Sequence, residues 1–363
     1  MQNTTPTWAE SHKDWNLLNP TSTTPKLDGF VAEAAHYAQK PPPTDGIVFD
    51  RAGIRAMGCY DGNDLNYYYF MVSKFATSDR WFSPVMTRTE PNRLYLLAGT
   101  SAGHAYPLED NGLTSLDSNL HPTIFQSLDK AGISWRIYET DPGTSYIYKF
   151  QPYADQHTAN IVPASRFATE AQNGTLPTVA LIESSGLSRL DEHPRNNVQT
   201  GANYGAGLIN ALMTSPSWND SAFILTFDEG GGLYDHVPPV PAVHPDGIPP
   251  SDIPPGGICS GVSGGICDFN YTGYRVPLLV VSPFTKKNFG SHTVADYTAI
   301  LKLIETRFKL ANLSKRAAAQ VDMSEFFDFT NPPWMTPPSS PLQDTTKLCN
   351  YPCNKCRNAT TTG

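Results

Sequence analysis

Apolar and polar positions along this 363-residue chain repeat with two periods, one suited to strands and one to helices. The run Ala222-Phe-Ile-Leu-Thr-Phe227 is apolar at five of six positions, with the β-branched Ile224 and Thr226 inside it. It predicts a short, fully buried strand. Ser134–Glu139, Thr178–Glu183 and Val276–Ser282 predict three more strands. Helices are predicted near Gly29–Gln39, over Asp64–Phe75, over Pro122–Lys130 closed by Gly132, and over Tyr204–Met213. Tyr297–Leu310 is amphipathic, with Ile300, Leu301, Ile304 and Phe308 on one side. Between Ser83 and Thr100, Pro91 suits the first position of a helix, because its missing N–H costs nothing there. Thr89 then lies just ahead of a helix N-terminus, where free N–H groups attract anions. Helices alternating with short buried strands predict an α/β fold with a largely parallel sheet covered on both faces. The stretch 237–273 is rich in proline and glycine and too long for a plain connection, so it reads as a lid or a site rim. No internal repeat or domain boundary is visible.

Composition narrows the function. Net charge is -8 with no basic run, which excludes a nucleic-acid partner, since phosphate backbones need clustered Lys and Arg. No apolar stretch reaches the ~20 residues that cross a bilayer. The polar start Met1-Gln-Asn-Thr-Thr is not a signal peptide. Six Asn-X-Ser/Thr triplets, at Asn3, Asn173, Asn219, Asn270, Asn312 and Asn358, nevertheless point to a secreted glycoprotein. Six cysteines point the same way. Cys259 and Cys267 flank a Gly/Ser loop and could close a small disulfide, while Cys349, Cys353 and Cys356 crowd the tail and Cys59 stands alone. Disulfides are preferred over a zinc site in the tail, which lacks a fourth ligand nearby.

The chemistry begins where the strand at 222–227 ends. Asp228 and Glu229 sit side by side, three glycines follow, and Asp235 and His236 come next. Ligands of open α/β sheets bind outside the carboxyl ends of strands. Two acids, a flexible turn, an acid and a histidine suit a hard cation and proton transfer. The bland alternative is a strand ending in a solvated acidic loop.

Four segments, Thr-Phe-Asp-Glu-Gly-Gly-Gly-Leu-Tyr-Asp-His-Val, Asp-Glu-His-Pro, Pro-Asn-Arg-Leu-Tyr-Leu-Leu-Ala-Gly-Thr and Tyr-Arg-Val-Pro-Leu-Leu-Val-Val-Ser-Pro, together resemble the phosphoesterase family of phospholipases C and acid phosphatases. The resemblance runs from about Trp8 to about Phe329. It implies an alkaline-phosphatase-like α/β fold and a metal-dependent phosphoester hydrolase. It implies Thr89 as nucleophile and metal ligand, and Asp228 and Glu229 as the metal-binding acids. The ion would be one divalent metal: Ca, Mg, Mn or Zn. His193 would bind phosphate or act as acid/base, and His236 would orient Asp228 or donate to the phosphate. His292 and His12 match further family histidines and are candidates for substrate binding. Asn92 and Arg93 could aid the phosphate, although for Asn92 securing the helix start is the favoured alternative. The expected reaction cleaves a phosphodiester, such as a phospholipid headgroup linkage, through a phosphothreonine. The alternatives are an acid phosphatase on phosphomonoesters and an inactive relic that binds phosphorylated ligands. A monomer is expected.

The resemblance also has gaps. Family members usually begin with a strand and a Glu-Asn-x-Ser-Phe-Asp segment that supplies two metal ligands, and this sequence has no such segment. A histidine two residues before Trp8 is replaced by Pro6. The expectation is an N-terminally incomplete phosphoesterase domain over 1–330, a sheet short of a central strand, and an irregular tail over 331–363.

Overall fold

The structure, a computed structural model, describes residues 6–39, 50–194 and 196–347. The chain opens with α1 (Trp8–Trp15) and α2 (Phe30–Gln39), then α3 (Asn66–Lys74) leads into β1 (Ala76–Ser78) and β2 (Trp81–Phe82). Next come α4 (Thr89–Ala98), β3 (Leu116–Asp117), α5 (Ile124–Lys130), β4 (Trp135–Glu139), β5 (Phe150–Gln151) and α6 (Tyr153–Gln156). They are followed by β6 (Ile161–Pro163), α7 (Arg166–Gln172), β7 (Val179–Glu183), α8 (Val198–Met213) and β8 (Phe223–Thr226). The last elements are β9 (Leu278–Val281), β10 (Phe289–Ser291), β11 (Ala295–Asp296), α9 (Thr298–Phe308) and α10 (Lys315–Ala319).

Local chemistry sets several of these boundaries. Helix α5 starts at a capping box, in which the Thr123 N–H donates to Gln126 Oε1 at 2.8 Å. Helix α8 starts on Asn197, whose side chain accepts from the Gln199 N–H at 2.9 Å. Helix α4 stops at Gly99, which takes φ 74°. A Cβ there would stand 2.6 Å from Ser314 Oγ, so the close approach of α10's N-cap also requires glycine.

The fold is α/β. One sheet has the order β6-β4-β7 and is parallel throughout; another has the order β10-β1-β9-β8. In the second, β1 and β10 are parallel, while β9 runs antiparallel to both β1 and β8. The pairs β11-β2 and β3-β5 are parallel. The strand expected to be fully buried is instead β8, an edge strand half-buried at every position. An apolar run reports that its side chains face protein. It does not report how many strands flank it. The fully buried strand is its neighbour β9.

Three apolar clusters hold the layers together. One joins α1 and β2 to the 237–273 loop, one joins α4, α5 and β4, and one joins α3, α7, α8 and β9. The 237–273 loop is a brace for α1, not a lid. Trp8 Nε1 donates to the Ile258 carbonyl at 3.3 Å, and Cys259 and Cys267 form a disulfide within the loop. Arg316 on α10 fastens it further. That buried guanidinium donates to the carbonyls of Val243 and Phe269 and pairs with buried Asp296 at 2.9 Å. Cys59 is exposed and free, and Cys349, Cys353 and Cys356 lie outside the described residues.

Residues 331–347 are irregular yet docked. Trp334 packs on Phe75 at 5.1 Å between ring centres, and Gln343 Nε2 donates to the Asp64 carbonyl at 3.0 Å. Among the described residues no helix is long and apolar enough to cross a membrane. Arg316→Met leaves Asp296 buried without its partner, and the expected cost is about 3–5 kcal/mol. Denaturant unfolding followed by circular dichroism measures it.

Candidate active site

Strand β8 delivers its last residues to the carboxyl end of the sheet, and the chain turns at once. Gly231 and Gly232 adopt φ 68° and 70°, the left-handed region where a side chain is strained. The turn sends the Gly231 N–H back to Glu229 Oε2 at 2.6 Å. Asp228 is held differently. Its carbonyl accepts from buried Tyr297 at 3.0 Å, and its carboxylate faces Arg93.

Thr89 is the first residue of α4, which starts two residues before the Pro91 start that the pattern implied. Asn92 explains how the preceding turn is fixed. It is fully buried; its Nδ2 donates to the carbonyls of Val85, Thr87 and Arg88, and its Oδ1 accepts from the Val85 N–H. It therefore secures the helix start and does not reach substrate, which corrects its expected binding role. The first-turn N–H groups of α4 give this end partial positive charge.

His193 sits on the loop between β7 and α8 and is exposed. Its N–H donates to Asp191 Oδ1 at 3.2 Å, and its Nδ1 lies 2.9 Å from the Pro194 carbonyl. A carbonyl can only accept, so Nδ1 carries the proton and Nε2 is left for chemistry.

Thr89, His193 and Glu229 come together around one cleft of about 330 Å³. Pro6, Thr7, Tyr37, Arg88 and Tyr146 complete most of its wall. No periodicity or motif marked Tyr37 and Tyr146 for this position.

Three expected residues stand elsewhere. His12 is fully buried, with Nδ1 2.7 Å from the Trp8 carbonyl and Nε2 2.8 Å from the Ile266 carbonyl. It ties α1 to the brace loop, and burial lowers its pKa. His292 is exposed and bonds Asp79 at 2.8 Å. His236 is 77% exposed, and its neighbour Asp235 is engaged by Arg275, so neither orients Asp228. None of the three lines the cleft.

A family model described as the Phosphoesterase family matches residues 1–311. The chain belongs to the Phosphoesterase family. Non-specific phospholipase C4 of Arabidopsis thaliana is 34% identical over 289 residues, covering 72% of this chain and 49% of that protein. Phospholipase C B of Mycobacterium tuberculosis is 32% identical over 328 residues, covering 82% of this chain and 60% of that protein. The chain thus spans about half the length of the first of these relatives and somewhat more of the second. Among solved structures, an alkaline phosphatase superfamily protein from Vibrio parahaemolyticus overlaps 79% of this chain and 76% of its own at 11% identity and a TM-score of 0.41.

Thr89 and Glu229 line the cleft with oxygen donors of the kind a hard cation takes, while Asp228, next in the chain to Glu229, is paired with Arg93 and is not among the lining residues. Burial, and then the charge of Asp228, raise the pKa of Glu229. A bound cation would relieve that repulsion. These residues fit a cation as part of a ligand set. Among the described residues no group of three or more His, Cys, Asp or Glu side chains forms a metal site.

Arg93, read from the sequence as a possible phosphate contact, already supplies a cation to this neighbourhood. Its Nε lies 3.4 Å from Asp228 Oδ2 and its Nη1 3.9 Å from Glu183 Oε1, with the guanidinium 5.6 Å from the Tyr146 ring centre. Arg93→Met should destabilise the fold by about 3 kcal/mol, the low end for breaking a buried pair, because Glu183 loses its counter-charge. Arg93→Lys should cost less. Paired denaturant curves check both.

Proposed function

We propose that this chain hydrolyses phosphoesters through a phosphothreonine at Thr89. The preferred substrate is a phosphodiester of the phospholipase C type, a phospholipid headgroup linkage. The shared cleft carries the reading: a hydroxyl, a histidine and an acid from distant parts of the chain meet at a helix N-terminus. The aromatic walls Tyr37 and Tyr146 leave room for an organic group beyond a bare phosphate. The phospholipases C among the relatives support a diester.

The N-terminus of α4 binds the phosphoryl oxygens. Thr89 Oγ1 attacks phosphorus, and its proton leaves to solvent through the open cleft. The bond from phosphorus to the leaving oxygen breaks, and protonated His193 gives that oxygen its Nε2 proton. Water then attacks the phosphothreonine, neutral His193 takes the water's proton and is thereby reset, and the bond from phosphorus to Thr89 Oγ1 breaks, with Oγ1 taking back from solvent the proton it released in the first step. A divalent ion on Thr89, Asp228 and Glu229 would lower the pKa of the threonine hydroxyl and offset charge on the phosphoryl oxygens. A secretory path belongs to this reading, supported by the Cys259–Cys267 disulfide and the exposed asparagines Asn173, Asn219 and Asn312.

A second reading, a relic that binds phosphorylated ligands without turnover, draws on Arg93 standing where a cation would neutralise Asp228. Turnover of a phospholipid, a lysophospholipid and p-nitrophenyl phosphate separates the readings. Thr89→Ala should abolish hydrolysis of whichever is cleaved while the circular dichroism spectrum stays unchanged. Full activity in that variant overturns the phosphothreonine. Calorimetric titration with Ca²⁺, Mg²⁺, Mn²⁺ and Zn²⁺ should show binding that Glu229→Gln weakens at least tenfold, about 1.4 kcal/mol.

A further inference from the structure

His193 is exposed, and its backbone N–H and its Nδ1 both engage its own loop, so the placing of that loop sets the imidazole over the cleft. Its neighbour Glu192 turns the other way. Glu192 adopts φ 60°, and its Oε1 accepts from the Tyr68 hydroxyl on α3 at 2.7 Å. Helix α8 makes room for the pair. A Cβ on Gly201 would stand 2.2 Å from Glu192 Cγ, and a Cβ on Gly205, one turn on, would stand 2.7 Å from the Tyr68 hydroxyl. Two glycines on one helix face are thus shaped to one carboxyl–phenol contact. On the loop's other side, Asp191 Oδ1 accepts from Asn196 Nδ2 at 2.6 Å as well as from the His193 N–H.

We propose that Glu192 is a positioning residue for His193: its carboxyl, lodged between Tyr68 and the glycine face of α8, fixes where the Asp191–Pro194 loop sets the imidazole. The inference deepens the reading above and rests on His193 acting there as the acid/base.

The clasp is sensitive to pH. Burial raises the Glu192 pKa from 4.5 to about 7; Asp191's charge adds to the rise, and the Tyr68 hydrogen bond works against it. Tyr68 faces it from α3 and Asp191 from its own loop, while α8 carries no charged side chain. The raised pKa means that the folded protein favours the neutral carboxyl. Its contribution is complete below pH 4.5 and lost as pH rises through about 7.

The test uses the full chain and p-nitrophenyl phosphate or phosphatidylcholine vesicles, whichever the wild-type protein cleaves. Wild-type kcat should fall on the alkaline side with a midpoint near that of Glu192. Glu192→Gln, which mimics the neutral carboxyl, should keep the acid-side kcat and shift the midpoint of that fall away from the wild-type value. Glu192→Ala should lower kcat about tenfold at an unchanged KM, a fraction of the ~100-fold or more that general acid–base assistance supplies, as expected for a residue that only positions the acid. Tyr68→Phe should lie between.

Unchanged kcat and pH profile in both Glu192 variants would overturn the proposal, even with a lowered melting temperature. One arm needs no turnover: in ¹⁵N-labelled protein the His193 amide signal should move with pH around neutrality and stand still in Glu192→Gln. A signal indifferent to that replacement overturns the proposal whether or not substrate is cleaved. Thr89→Ala separates the two claims. Retained turnover there removes the phosphothreonine, while the His193 signal still decides the role of Glu192.

Discussion

The structure hinges on one guanidinium. Arg93, in the first half of α4, reaches the ends of strands in two different sheets: Glu183 closes β7, and Asp228 follows β8. Without that cation, buried Glu183 and partly buried Asp228 would each lose their counter-charge, which is costly away from water. Fixing Arg93 fixes α4, and α4 carries Thr89 at its first residue. The ion pair therefore registers the helix that carries Thr89 against the acid-bearing strand ends. A helix N-terminus, two sheets and a glycine turn are aligned by a single side chain.

Much of this was legible in the sequence, and the pattern of misses is physical. Strands β4, β7 and β9 and helices α2, α3, α5 and α9 fell where periodicity put them, since their apolar faces are continuous. Helix α1 escaped because its buried face includes Ser11, His12 and Asp14, polar residues that periodicity counts as exposed. The edge position of β8 escaped because composition reports burial, not neighbours. Thr89, His193 and Glu229, which the family resemblance named, line one cleft. The misplaced histidines failed for another reason. His12 has both ring nitrogens set against backbone carbonyls in the core, and His292 bonds Asp79 at the surface. A sequence shows that a histidine is present but not whether its nitrogens are spoken for.

The loop over 237–273 makes the same point at a larger scale. Its proline and glycine content marks it as irregular, but not as a cover. Its aromatic and disulfide residues join the α1 cluster, and Arg316 fastens it from beneath. It braces α1, next to the Pro6 and Thr7 that contribute to the wall of the cleft.

That cleft is assembled from the segments around residues 6, 37, 88, 146, 193 and 229, with no two neighbouring in the chain. Contacts so far apart form only after the loops between them have closed, which makes such topologies slow to mature. No half-made intermediate can own this depression, because each wall is worthless without the others. Binding competence and native order must arise in the same cooperative event, so ligand capture would serve as a census of completed molecules.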